Sequence, residues 1–211
     1  MLYIIGLSHF AQSRKPGSEK TEGQNAYTAV LDQLIKDVKP IFVAEEHSEE
    51  ALTHRNEVSI AKELADASGI EHRFCDPTEA QRTSMGYVQG GFIFQHFLMG
   101  GNNQLSKEEA RVKADAIEMG RYFPVREQFW LDGLNGCIEK NAIFVCGYGH
   151  INSFTRLLDS KGIPNKVVAS DVAVTEEERD RIERSTQYLS EHPELRDWTS
   201  KGFSSPRLIR W

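Results

Sequence analysis

Two stretches of the chain repeat one arrangement of residues able to do chemistry. Near the start, the apolar run "LYIIGLSH" ends in Gly6-Leu7-Ser8-His9, and much later "AIFVCGYGH" ends in Gly147-Tyr148-Gly149-His150. Between them, "IFVAEEH" ends an apolar run in Glu45, Glu46 and His47, and "EHRFCDP" delivers Asp76 just before a proline. Imidazole and carboxylate together ligate zinc, manganese, iron or cobalt. A divalent ion held by side chains from separate strands keeps a position for water and activates that water near neutral pH. The glycine three residues ahead of each histidine suits a sharp turn or a close approach of a ligand to the backbone. One Gly-x-x-His is a weak signal, because a histidine after a strand is more often a structural hydrogen-bonding group. Two of them, with carboxylates delivered between, point to a shared site holding His9, His150 and either Glu45 or Glu46.

Such a site needs elements that end together. Residues 2–6, 41–46, 71–76, 142–147 and 165–170 read as strands apolar on both faces. Helical spacing predicts helices over 24–38, closed by Pro40, over 55–67, stopped by Gly69, over about 153–161, and over about 176–189, the last opened by a Thr175–Glu178 capping box. Strands alternating with helices predict an α/β fold: a mainly parallel sheet of about five strands with helices on both faces. Ligands collect beyond the carboxyl ends of the strands in such sheets, where His9, Glu45, Glu46, Asp76 and His150 all emerge.

The expected organisation is a single domain over 1–211. A helical insertion fills about 77–140 between the third and fourth strands, and a C-terminal helix plus tail fills about 175–211. In the insertion, Ser106 and Glu109 make a capping box for a helix running to about Gly120. Pro124 suits the first turn of a second helix, with Val125, Phe129, Trp130, Leu134, Cys137 and Ile138 as its apolar stripe. The segment 90–101, apolar and bracketed by glycine pairs, reads as a core helix or strand, with a lid or a homodimer surface as the alternative.

Composition narrows the class. With 211 residues, 39% hydrophobic and 27% charged, the chain is long enough to bury a core and is not of disordered type. Its formal net charge of −6 argues against a nucleic-acid partner bound through the phosphate backbone. Cys75, Cys137 and Cys146 form no CxxC pair, which suits buried thiols in a reducing compartment. No apolar run reaches a membrane span and no signal-peptide pattern opens the chain, so the expectation is a cytoplasmic protein acting on a small molecule or peptide.

The motifs "IIGLSH", "IFVAEE", "VREQFWL" and "IFVCGYGHINSFTRLLDSKGI" resemble the TraB/Tiki family and its erythromycin-esterase-like and ChaN-like relatives. That superfamily carries two Gly-x-x-His motifs, a glutamate ending an early strand and an arginine on a helix before the last motif. The resemblance covers four strands and the helix at 124–140. It implies a divalent-metal-dependent hydrolase, peptidase- or esterase-like, with His9, Glu45 and His150 holding the metal and Arg126 as the helix arginine. Glu46 is then an alternative ligand or the general base. The same residues also fit an esterase working without metal, or a pocket that binds without turnover.

Arg126, at a helix start where its charge opposes the helix dipole, suits a substrate clamp or an oxyanion stabiliser. Tyr148 is a weaker oxyanion donor. Glu127 reads as a first-turn acid or a general base, Asp76 as a turn former or a histidine's partner, and His72 as structural. The tail, with Trp198, Phe203, Arg207, Arg210 and Trp211, reads as packing back on its own domain.

Overall fold

The computed structural model describes residues 1–99, 105–135 and 140–199. Five strands form one parallel sheet: β1 (Leu2–Leu7), β3 (Phe42–Glu45), β5 (Glu71–Phe74), β6 (Ala142–Gly147) and β7 (Asn165–Val172), in the order β5-β3-β6-β1-β7. The α/β architecture expected from the sequence is therefore present. β6 enters last between β3 and β1, so the three strands carrying the Glu and Gly-x-x-His ends are neighbours. Their carboxyl ends meet at the switch point of the sheet, where α/β proteins place ligands.

Alternate side chains leave the sheet on opposite faces. Phe42, Ala44, Phe144 and Cys146 pack with Trp130, Phe154 and Leu158 on one face, below α7 (Phe123–Gly133) and α8 (Ile151–Ser160). Val43, Ile143 and Val145 pack with Tyr27, Leu31, Ile60 and Ala61 on the other, below α1 (Glu22–Val38) and α3 (Ile60–Ala67). Thr21 and Gln24 close a capping box at the start of α1, and Lys39 ends it in the left-handed conformation before Pro40.

The helix expected over 55–67 begins only at Ile60, as α3, and a separate helix precedes it. α2 (Glu49–Arg55) is capped by Ser48 and ended by a left-handed Asn56, and Ser59 then caps α3. Between them a short strand β4 (Val58–Ser59) pairs antiparallel with β2 (Ser13–Arg14). Serines at both caps offer the backbone a bonded alternative to a continuous helix.

The insertion is helical, as expected. It holds α4 (Glu79–Ser84), α5 (Gly90–Met99), α6 (Lys107–Ile117, opened by the Ser106–Glu109 box) and α7. No loop separates α6 from α7. A π-helical turn over Glu118–Tyr122 joins them and re-phases the second helix. α5 packs on α6 through buried Ile93 and Phe97, so residues 90–99 of the glycine-bracketed segment form a helix that joins the insertion's core, with Phe92, Leu98 and Met99 on its exposed side. α9 (Glu176–Glu191) closes against α6, and Trp198 packs beside it. Thr175 caps α9 through its hydroxyl, while the reciprocal Glu178 side-chain bond of a capping box is not made. Cys137, Ile138 and the tail residues Phe203, Arg207, Arg210 and Trp211 lie outside the described residues. Among those described, no helix is long and apolar enough to cross a membrane.

Candidate active site

Glu46 is the centre of the carboxyl edge. One residue past the end of β3, it emerges on the α7 face, and it is wholly buried. Its Oε2 accepts the backbone N–H of Gly147 at 2.7 Å, which ties the ends of β3 and β6 together. Its Oε1 has three cationic or potentially cationic neighbours: Arg126 Nη2 at 2.8 Å, His150 Nε2 at 3.4 Å and His9 Nε2 at 3.8 Å. The guanidinium N–H is not aimed at Oε1, so that oxygen accepts no well-directed hydrogen bond. Burial by itself would favour the neutral acid. Arg126, His150 and His9 together outweigh it and hold Glu46 below the usual carboxylate range.

The two Gly-x-x-His motifs thus converge on one carboxylate. The glycines serve close approach. A Cβ on Gly147 would stand 2.5 Å from His9 Nε2, and one on Gly6 would stand 2.6 Å from the Ser170 carbonyl oxygen. Any larger residue at 147 displaces His9 from Glu46.

The histidines differ in surroundings. His9 opens a 3-10 turn after β1, and its side chain is 52% exposed. His150 is buried, stacked on Phe123 at 3.5 Å between ring centroids and edge-on to Trp130. Its Nδ1 lies 2.9 Å from Oε1 of buried Glu127, which also accepts Ser153 Oγ at 2.5 Å. Glu127 fixes the ring so that Nε2 faces Glu46.

Arg126 lies between two carboxylates, its Nε donating to Asp76 Oδ1 at 2.6 Å. Trp130 Nε1 donates to the same oxygen at 3.1 Å, and Arg82 pairs with Asp76 Oδ2. Burial opposes charge on both partners. The guanidiniums of Arg126 and Arg82 nonetheless keep Asp76 far below the usual carboxylate range, and Glu46 and Asp76 keep Arg126 protonated.

Glu45, expected as the metal ligand, is not brought to this site. As the last residue of β3 it takes the alternate face, where its Oε1 meets His72 Nε2 at 2.9 Å. Period-two alternation decides between adjacent glutamates, and it selects Glu46. His47 is buried with Nε2 unpartnered, and burial lowers its pKa. Asp76 does not share a face with His72 and Phe74, because past the strand end it turns to α7. Tyr148 lines a small pocket on the α9 side of His150 and does not touch Glu46 through any hydrogen bond.

A cleft of about 620 Å³ opens over His9, Glu46 and Arg126, walled by Arg14, Lys15 and Arg55. Most of those basic groups are matched: Arg14 by Glu63, and Lys15 and Arg55 by Glu57. Polar and charged residues make up most of its lining, and it reaches the exposed His9.

The donor types around Glu46 are those a divalent ion takes. Arg126 Nη2 stands against the same Oε1 that would have to bind the ion. Among the described residues, no three His, Cys, Asp or Glu side chains are grouped to hold one. Cys75 and Cys146 are buried free thiols, Cys75 pushed up to about 12 and Cys146 also raised, both by burial, so neither is a nucleophile at neutral pH. Comparison with protein-family models, curated proteins and solved structures finds no match to this chain.

Proposed function

We propose that the chain is a hydrolase whose active site is this Glu46-centred cleft, acting on a carbonyl or phosphoryl centre by histidine acid–base chemistry. The observation that carries the reading is the convergence of His9 Nε2 and His150 Nε2 on one buried carboxylate oxygen. Two imidazoles sharing one counter-ion form an acid–base pair. His9, exposed to the cleft, takes a proton from attacking water, and His150, anchored through Glu127, gives one to the leaving group. Glu46 stabilises whichever ring is cationic. Arg126 uses Nε on Asp76 and Nη2 on Glu46, so Nη1 is the donor for charge developing on the substrate oxygen. Glu46 and Asp76 are the carboxylates that Arg126 faces.

The second reading is the metal-dependent hydrolase implied by the TraB/Tiki resemblance. It draws support from Oε1 facing both Nε2 atoms and from the carboxylate behind His150, an arrangement typical of metal-bound histidines. The ligands are then His9, Glu46 and His150, and Arg126 has to withdraw from Oε1.

The test is turnover of a panel of activated esters, peptides and phosphomonoesters by purified protein, with chelator and with added zinc or manganese. Turnover that survives chelation supports the acid–base reading, turnover restored only by metal supports the second, and none on any class removes both. Glu127→Gln is expected to cut kcat by about 10²- to 10⁴-fold, because the ring loses its orientation and its charge partner. A pH–rate profile of that variant checks the effect, since a merely structural loss leaves the profile unshifted.

A further inference from the structure

On the α9 side of His150 lies a second, smaller pocket of about 130 Å³, which shares His9 and Arg126 with the cleft. At about 30 Å³ per water it has room for roughly four waters, or for one compact group. Arg111 from α6 and Arg181 from α9 line it. Between them stands buried Asp115, its Oδ1 3.2 Å from Arg111 Nε and its Oδ2 3.1 Å from Arg181 Nε. Neither contact is a well-directed hydrogen bond. The Arg111 guanidinium otherwise lies only over the Phe94 ring, and the Arg181 guanidinium has no other ion or hydrogen-bond partner among the described residues. The two guanidiniums share that one carboxylate, and the rest of each N–H fork has no protein acceptor among the described residues. Glu118, which also lines the pocket, is occupied by the Tyr87 hydroxyl at 2.5 Å. Glu118 and Glu178, the latter left free by the incomplete cap of α9, are carboxylates there that oppose an anion.

Resting on the hydrolase reading, we propose that this pocket binds a compact oxyanion, a carboxylate or phosphate at one end of the substrate, on Arg111 and Arg181. The large cleft reaches His9, and the small pocket reaches both His9 and His150. A substrate lying across them has its body in the cleft and its anionic end group next to His150, the proton donor to the leaving group. The enzyme is then exo-acting, removing a small charged end group rather than cutting within a chain. Guanidinium forks match carboxylate and phosphate oxygens equally in kind, and the two probes separate the sources.

The experiment is titration of inorganic phosphate and, separately, acetate into the full chain, followed by backbone amide shifts. It is run on the wild type, Arg111→Gln, Arg181→Gln, Arg181→Lys and Glu178→Gln, each first shown to be folded by its thermal transition. One anion is expected to saturate the wild type with shifts at residues 111, 148 and 181. Each glutamine variant is expected to weaken it by about tenfold, the loss of one charge-assisted hydrogen bond. Arg181→Lys, which keeps the charge but not the fork, is expected to weaken it less, and Glu178→Gln to tighten it. Unchanged binding in both arginine variants, or no saturable binding of either anion to the wild type, overturns the proposal. Because the readout is binding, saturable anion uptake by a protein that turns over no substrate would count against the hydrolase reading and leave the pocket standing.

Discussion

Glu46→Gln is expected to lower turnover by about 10²- to 10⁴-fold, while Glu45→Gln leaves it within a few fold. The two residues are adjacent in sequence and alike in chemistry, so the contrast isolates position. Glu46 faces His9, His150 and Arg126, whereas Glu45 faces His72 across the sheet. The glutamine keeps the shape and can still accept the Gly147 N–H, but it removes the charge that steadies either imidazolium. Arg126 then keeps only Asp76, and its free Nη2 turns toward the cleft. Steady-state rates on whichever substrate class the wild type accepts, at matched folded fraction, check the pair. Equal losses in both variants would mean that the two faces of β3 contribute alike, contrary to the geometry.

Asp76→Ala is expected to destabilise the fold by about 3–5 kcal/mol, the range for removing one partner of a buried ion pair. Asp76 is shared by Arg126, Arg82 and Trp130 Nε1, so its removal leaves a buried guanidinium half-paired and an indole N–H without an acceptor. The acid dependence follows from the same contacts. Asp76 and Glu46 have folded pKa values depressed below the unfolded value of about 4. Below that pH the unfolded chain binds more protons than the folded one, so stability rises with pH in this window. The stabilisation is in full force above about pH 4 and is lost as pH falls through the depressed folded values. Asp76→Asn is therefore expected to be less stable than wild type at neutral pH and to show a shallower acid limb. Urea unfolding at about pH 3 and pH 7 checks both.

The parallel sheet was legible because strands buried on both faces read as continuous apolar runs, and because helices with their caps separate them. His9, Glu46 and His150 were legible as strand-end residues. Choosing between Glu45 and Glu46 required knowing which face of β3 meets α7, and two adjacent carboxylates carry no signal of that. α7 shows a different limit. Its buried positions are Phe123, Arg126, Glu127 and Trp130, related by spacings of three and four. Two of those four are charged, so an apolar stripe drawn through Val125, Phe129 and Trp130 is rotated away from the true inner face. Glu127 then looks like a first-turn acid instead of the partner of His150. A charged pair inside an otherwise apolar three-and-four spacing is the signal that would have found it. The separate helix at 49–55 and the late start of α3 were hidden because Ser48 and Ser59 as N-caps and a left-handed Asn56, not a proline or glycine, punctuate this stretch. Arg111, Asp115 and Arg181 carry no sequence signal as a group, since α6 and α9 meet only in the tertiary fold.

The most direct measurement of the central claim is a double-mutant cycle on kcat/KM with His9→Gln, His150→Gln and the double variant, run on the preferred substrate class with chelator present. If both histidines act through Glu46 as one acid–base unit, each single variant loses about 10²- to 10⁴-fold, and the double variant falls no more than about tenfold below the worse single. Losses that multiply in full would show two histidines working independently and would contradict a shared centre on Glu46.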